Sequence, residues 1–324
     1  MRKITYLKAI NEAVHEEMAR DPTVFLMGED VRVWGSAYRE FKGLFDKYGA
    51  ERVLDTPVSE TAILGGAIGA AATGLRPIAN IMYLNFIGVA TDELLNQLQW
   101  PYMGGGQARL PLTIMSYSGA GFCAGATHSS CREGWLLSIP GLKIAVPSTP
   151  YDAKGLVKSA IRDDNPVIVL EHQWLLLSSL AGEVPEQEYT IPLGKADIKR
   201  EGKDVTVVAT SLMLHRVLAA AAKLHEQGIS VEVVDPRTWV PLDKQTIIES
   251  VKKTGKLVIM TEECITGSAA GETAAIVADE AFDYLNAPIK RVCAPDTPIP
   301  FGPILENFWM PNEENLIEVI TKIV

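Results

Sequence analysis

Alternation constrains this chain more than any other feature. Short, nearly uninterrupted apolar runs at 23–27, 77–82, 111–115, 142–146 and 167–170 are separated by segments of helical period at 62–73, 86–99 and 151–161. An apolar run with no polar alternate has to be covered on both faces. Helices between the runs supply that cover, so the pattern predicts a parallel sheet in an α/β fold. The same rhythm restarts with runs at 205–210, 231–234, 257–260 and 289–292 and helices at 212–227, 244–253 and 269–282. Between the two sets, the stretch AGEVPEQEYTIPLG within 178–194 is rich in Pro, Gly and Glu and has no helical period. It reads as a linker or a strap over the surface. The expectation is two α/β domains, 1–185 and 190–324.

Residues 1–21 read as an amphipathic helix with Ile10, Ala13, Val14 and Met18 on one face. They hold no apolar signal core and no small-residue cleavage site, and no apolar stretch reaches 18 residues unbroken. A cytoplasmic chain without a membrane span is expected. A net charge of −10 argues against nucleic acid, whose phosphates need a basic stripe. Cys123, Cys131, Cys264 and Cys293 include no CxxC pair, as for reduced thiols.

Several residues are chemically suggestive. GGAIGAAATG at 65–74 presents a helix surface almost free of side chains, suited to close approach of another backbone and read here as a subunit contact. Glu60 stands just before it, where Thr56 and Ser59 are available as caps; either it merely complements the helix dipole or the turn holds it toward a pocket. His128 lies in the Gly/Ala/Ser-rich loop GAGFCAGATHSSCREGW, either a solvated loop residue or a binding group. Asp163, Asp164 and Asn165 form a turn whose oxygens also suit a cation. GxGxxG after a strand, GxxxxGK[ST], HExxH, GxSxG and the EF-hand loop are all absent.

MGEDV (27–31), RVLDTPVSE (52–60), GAIGAAATGLRPIANIMY (66–83), ATHSS (126–130), IPGLKIAVPSTPYDAKGL (139–156) and AIRDDNPVIVLEH (160–172) together resemble the β subunit of thiamine-diphosphate-dependent 2-oxo acid dehydrogenases. These are the E1 components of the pyruvate and branched-chain complexes, with the similar acetoin dehydrogenase. The resemblance continues through REGKDVTVVAT, GISVEVVDPRTWVPLD, KKTGKLVI and APDTPIPF and covers nearly the whole chain. It implies an N-terminal pyrimidine-binding domain with a parallel sheet and a C-terminal transketolase-type domain.

By this resemblance Glu60 contacts N1′ of the cofactor's aminopyrimidine. A proton shared there favours the imino tautomer, whose exocyclic nitrogen takes the thiazolium C2 proton. Met82 and Phe86 would wall the ring, and His128 would sit near the substrate as a proton carrier or a donor to an acyl oxygen. Leu112, Ala160, Asp163 and Asn165 match positions that hold potassium in some members. The family's diphosphate and magnesium motif, GDG followed by NN, is missing. The resemblance therefore implies that an α subunit brings magnesium and the other half of the site in an α2β2 assembly, with acyl transfer to a lipoyl-bearing E2. Rival readings are a transketolase-like subunit moving ketol groups without lipoate, and a non-catalytic assembly partner. Two departures stand out: Thr127-His128-Ser129-Ser130 replaces the usual QHSQ, and Asn80 replaces a Glu. Both bear on substrate identity, while Met82 and DTPIPF lean toward the acetoin type.

Overall fold

The computed structural model describes all 324 residues. They fall into two compact units, residues 1–118 with 138–193, and 119–137 with 194–324.

In the first unit the strands are β1 (Arg2–Thr5), β2 (Val24–Gly28), β3 (Val53–Asp55), β4 (Arg76–Ile81), β5 (Thr113–Ser118), β6 (Lys143–Ala145), β7 (Val167–His172) and β8 (Ala181–Val184). Six of them lie side by side, all parallel, in the order β6-β7-β5-β4-β2-β3. Every residue of β5 and β7 is buried, which explains why these runs carry no polar alternation. Helix Tyr6–Arg20 buries Ile10, Ala13, Val14 and Met18, the face read from the sequence. Thr5 caps it by accepting the Lys8 N–H.

The second unit holds β9 (Asp197–Arg200), β10 (Val205–Ala209), β11 (Val231–Asp235), β12 (Thr238–Val240), β13 (Leu257–Cys264) and β14 (Lys290–Ala294). Its sheet runs β14-β13-β10-β11-β9, parallel except for β9, which pairs antiparallel with β11. Helices Ser211–Glu226, Lys244–Thr254 and Ala269–Glu280 lie between its parallel strands in the chain.

The structure departs from the sequence reading in three places and takes the strap alternative for 178–194. The helix expected at 86–99 is a series of short turns: 3-10 segments Leu84–Ala90 and Gln97–Gln99 around helices Thr91–Leu95 and Trp100–Met103. Buried Leu84, Ile87 and Ala90 recur every third residue, the period of a 3-10 turn, and an apolar count alone does not separate that from an α-helix. Strands β1 and β8 form an antiparallel ribbon, and β9 is a charged edge strand; none has the apolar run on which the reading relied. The 178–194 stretch is a strap: Tyr189 stacks on Tyr151 at 4.7 Å, and Ile191 N–H donates to Gly155 O. Finally, 119–137 belongs to the second unit, in contrast to the continuous 1–185. Carboxylates of β13 hold it there, Glu262 accepting the Ala120 N–H and Glu263 the Gly134 N–H.

Candidate active site

Glu60 opens helix Glu60–Ala72, and its approach is anchored by the Thr56 N–H donating to Gly28 O at the end of β2, 3.0 Å. The two available caps are not used. Ser59 makes no side-chain cap bond, and Thr56 Oγ1 is buried without a partner. The Glu60 carboxyl, 7% exposed, stands in the first turn, where the helix dipole favours its negative charge. Near it is Glu29, one residue past β2. Glu29 Oε1 is buried with no hydrogen-bond partner, and its carboxyl titrates above its ordinary range because of burial first, then the charges of Glu60 and Asp30.

Met82 follows β4, the strand in register with β2, and Phe86 lies in the adjoining 3-10 segment; both are half-buried. Thr61 Oγ1 donates to Val89 O at 3.2 Å and so pins the first turn of the Glu60 helix to that segment. The carboxyl ends of β2 and β4 thus gather two carboxyls and two apolar side chains, where open α/β sheets carry their ligands. An orphaned buried carboxyl oxygen needs an N–H or O–H donor. This acceptor set fits a flat nitrogen heterocycle presenting a proton. Glu29 was quoted only within a motif; its position just beyond an apolar strand was the signal for it.

His128 lies in the second unit, on a turn in which its N–H donates to Gly125 O and its Nδ1 is 2.8 Å from Thr127 Oγ1. Leu112, Ala160, Asp163 and Asn165 converge through backbone bonds. Leu112 O accepts the Val167 N–H, Ala160 O the Asp163 N–H, and Leu110 N–H donates to Asp164 O. The Asp163 carboxylate is engaged by Lys143 at 2.6 Å and by Asn165, and its carbonyl accepts from Arg76. No group of three or more His, Cys, Asp or Glu side chains is arranged for a metal; the potassium set would rest on carbonyl oxygens, which keep a second lone pair.

A buried polar cluster in the first unit went unread. Asn80, Tyr117 and Glu171, all fully buried, lie on successive strands one residue from their carboxyl ends. Glu40 contacts the Tyr117 hydroxyl and accepts from Ser36 at 2.6 Å. Burial pushes the Glu40 carboxyl up to about 7 against the pull of these two hydroxyl donors, and Glu171, with both oxygens orphaned, is raised well above its usual range by burial and by Glu40. Glu40 sits in a segment without periodicity, so nothing in the chain marked it as core.

The transketolase pyrimidine binding domain matches residues 2–177, and the transketolase C-terminal domain matches 194–316. The β subunit of Bacillus subtilis (strain 168) acetoin:2,6-dichlorophenolindophenol oxidoreductase is 47% identical over 100% of this chain and 98% of its own. The chain belongs to the E1 β-subunit family. The β subunit of the B. subtilis pyruvate dehydrogenase E1 component is 42% identical, covering 100% of this chain and 99% of that protein. A solved split-gene transketolase, an inactive β4 tetramer, superposes with a TM-score of 0.80 over 99% of this chain and 98% of its own, at 24% identity, and has the same fold. Family members are subunits of thiamine-dependent oxidoreductases, in line with the resemblance of the motifs. No helix of this E1 β-type chain is long and apolar enough to cross a membrane.

Proposed function

We propose that this chain contributes the pyrimidine-activating half of a thiamine-diphosphate site that cleaves a C–C bond next to a carbonyl, in a 2-oxo acid or in acetoin. One observation carries this reading: the buried Glu60 carboxyl at a helix N-terminus, beside the orphaned buried oxygen of Glu29. When bound, thiamine diphosphate supplies a carbon acid that adds to a carbonyl and accepts the electron pair of the broken bond. Glu60 would hold a proton at a ring nitrogen, with the Glu29 carboxyl beside it. Met82 and Phe86 would exclude water and fix the plane of the ring. His128 would donate to an acyl oxygen or carry a proton, since an imidazole can present both a donor and an acceptor nitrogen.

Diphosphate and magnesium need hard oxygen ligands, and the chain has no GDG…NN motif to supply them. An α subunit would hold them, in an α2β2 assembly that passes acyl groups to a lipoyl-bearing E2. The exposed Ala62, Gly66, Gly69 and Ala72 face of the Glu60 helix would be the α contact. A potassium ion would steady the turn of Leu112, Ala160, Asp163 and Asn165; exchange of potassium for lithium without change in thermal stability would remove it from this reading. The deciding experiment is co-expression with an E1 α subunit. Acetoin, pyruvate and 2-oxoisovalerate are then assayed with 2,6-dichlorophenolindophenol as electron acceptor. Thiamine-dependent turnover of one of them is expected, and reconstituted α2β2 that is inert on all three overturns the proposal.

A further inference from the structure

The second unit contains a cavity of about 260 Å3 lined by Ala126, Ser130, Cys131, Arg132, Cys264, Thr297, Pro298, Ile299 and Trp309. Its deep side is apolar. Ile299 and Trp309 belong to a buried cluster with Ala120, Ala294 and Met310, and Cys264 packs on that cluster. The polar atoms of the wall are mostly engaged. Ser130 Oγ donates to Ala126 O at 2.7 Å, and Thr297 accepts from the Trp309 indole N–H through both its carbonyl and its hydroxyl.

Arg132 is the exception. It is exposed and makes no salt bridge or hydrogen bond, and its charge acts on the Glu263 carboxyl. The carboxyls of this region accept mainly from backbone N–H groups, and Glu133 and Glu306 each keep one buried oxygen without a partner. Glu263 accepts the Gly134 N–H at 2.7 Å and the Ala269 N–H at 2.8 Å, and Glu262 accepts the Ala120 N–H. Glu306 accepts the Cys123 N–H at 2.8 Å and its thiol at 3.0 Å. Glu133 is raised well above the carboxylate range by burial, then by Glu263 and Glu262. Burial, with Glu133 and the two carboxyls of β13, likewise holds the Cys131 thiol protonated. Arg132 is the one charged side chain in the lining of the cavity.

We infer that this cavity is a binding site for a small aliphatic carboxylate, held by the Arg132 guanidinium with its hydrocarbon end against Ile299 and Trp309. The planar fork of an arginine matches a carboxylate with two parallel N–H donations, and the apolar wall of Ile299 and Trp309 suits a hydrocarbon end, which inorganic phosphate lacks. The volume lies just below the roughly 300–1,000 Å3 of sites for drug-sized ligands, which suits a short chain. The inference stands apart from the cofactor chemistry above and uses none of its residues.

The test is ligand-observed saturation-transfer NMR on the full chain, with butyrate, its neutral isostere butyramide, and inorganic phosphate as probes. Butyrate is expected to bind in the millimolar range and butyramide at least tenfold more weakly. Arg132→Gln is expected to weaken butyrate at least tenfold while the circular dichroism spectrum is unchanged. The butyrate–butyramide comparison needs no variant, so it decides the matter if Arg132→Gln does not fold. Equal binding of butyrate and butyramide, tighter binding of phosphate, no butyrate binding at 50 mM, or a folded Arg132→Gln chain that binds butyrate as the wild type does would each overturn the inference.

Discussion

Replacing Gly69 by leucine separates what the 60–72 helix does for this chain from what it does for an assembly. Gly69 is exposed, and nothing in the chain lies within 4 Å of where its Cβ would be. The new side chain therefore meets no neighbour in the isolated subunit. What changes there is helix propensity: glycine in a helix interior is about 0.8–1.0 kcal/mol worse than alanine, and leucine is close to alanine. Gly69→Leu should thus stabilise the isolated chain by somewhat under 1 kcal/mol, a rise of about 1 °C in Tm for a chain of this size. If the bare stripe of Ala62, Gly66, Gly69 and Ala72 is where an α-subunit backbone lies, the same leucine overpacks that contact. Overpacking costs about 1–3 kcal/mol per site, and each 1.4 kcal/mol is tenfold in affinity. Each α–β contact should weaken by about 5- to 150-fold. Differential scanning fluorimetry on the chain alone and sedimentation velocity of the α–β mixture read the two effects separately. The reasoning fails if Gly69→Leu assembles with wild-type affinity, or if the isolated chain loses stability.

Three further outcomes are expected. Glu60→Gln should leave assembly intact and slow hydrogen exchange at C2 of the cofactor in the complex by about 10²–10⁴, as for loss of an acid–base group; wild-type exchange measured by NMR would refute the role. His128→Ala should keep cofactor affinity and impair acyl transfer to a free lipoyl domain more than decarboxylation with an artificial acceptor; both rates within about twofold of wild type would make it an ordinary loop residue. Glu40, raised to about 7 by burial, binds its proton more tightly folded than unfolded, so its contribution to stability is present below pH ~4.5 and is lost as pH rises through ~7. Chemical denaturation between pH 5 and 7.5 should show that decline in the wild type and a shallower one in Glu40→Gln, and equal slopes would count against it.

The parallel strands and the helices between them were legible because burial on both faces leaves its mark on every residue of a strand: Val167–His172 and Val205–Ala209 contain no exposed position. The motifs around Glu60, His128 and Asp163 were legible in the same local way, as short strings at turns. Elements stabilised by distant partners left no such mark. Strand β9 is charged because it lies at an edge, β1 exists because β8 pairs with it, and the three-residue spacing of Leu84, Ile87 and Ala90 is shared by two kinds of helix. Tertiary structure alone decided the electrostatics. Glu29 and Glu60 are 31 positions apart, and Glu40, Tyr117 and Glu171 lie on three separate segments, so the raised carboxyls of Glu29, Glu40 and Glu171 come from burial and neighbours no local pattern records. Arg132 is the same case: only the geometry of Gly134, Ala269 and Ala120 shows that Glu262 and Glu263 accept from backbone N–H groups while Arg132 makes no salt bridge. A hydrophobic run can be read one residue at a time, whereas a titration shift or an unspent charge depends on every group that folding brings within a few ångströms.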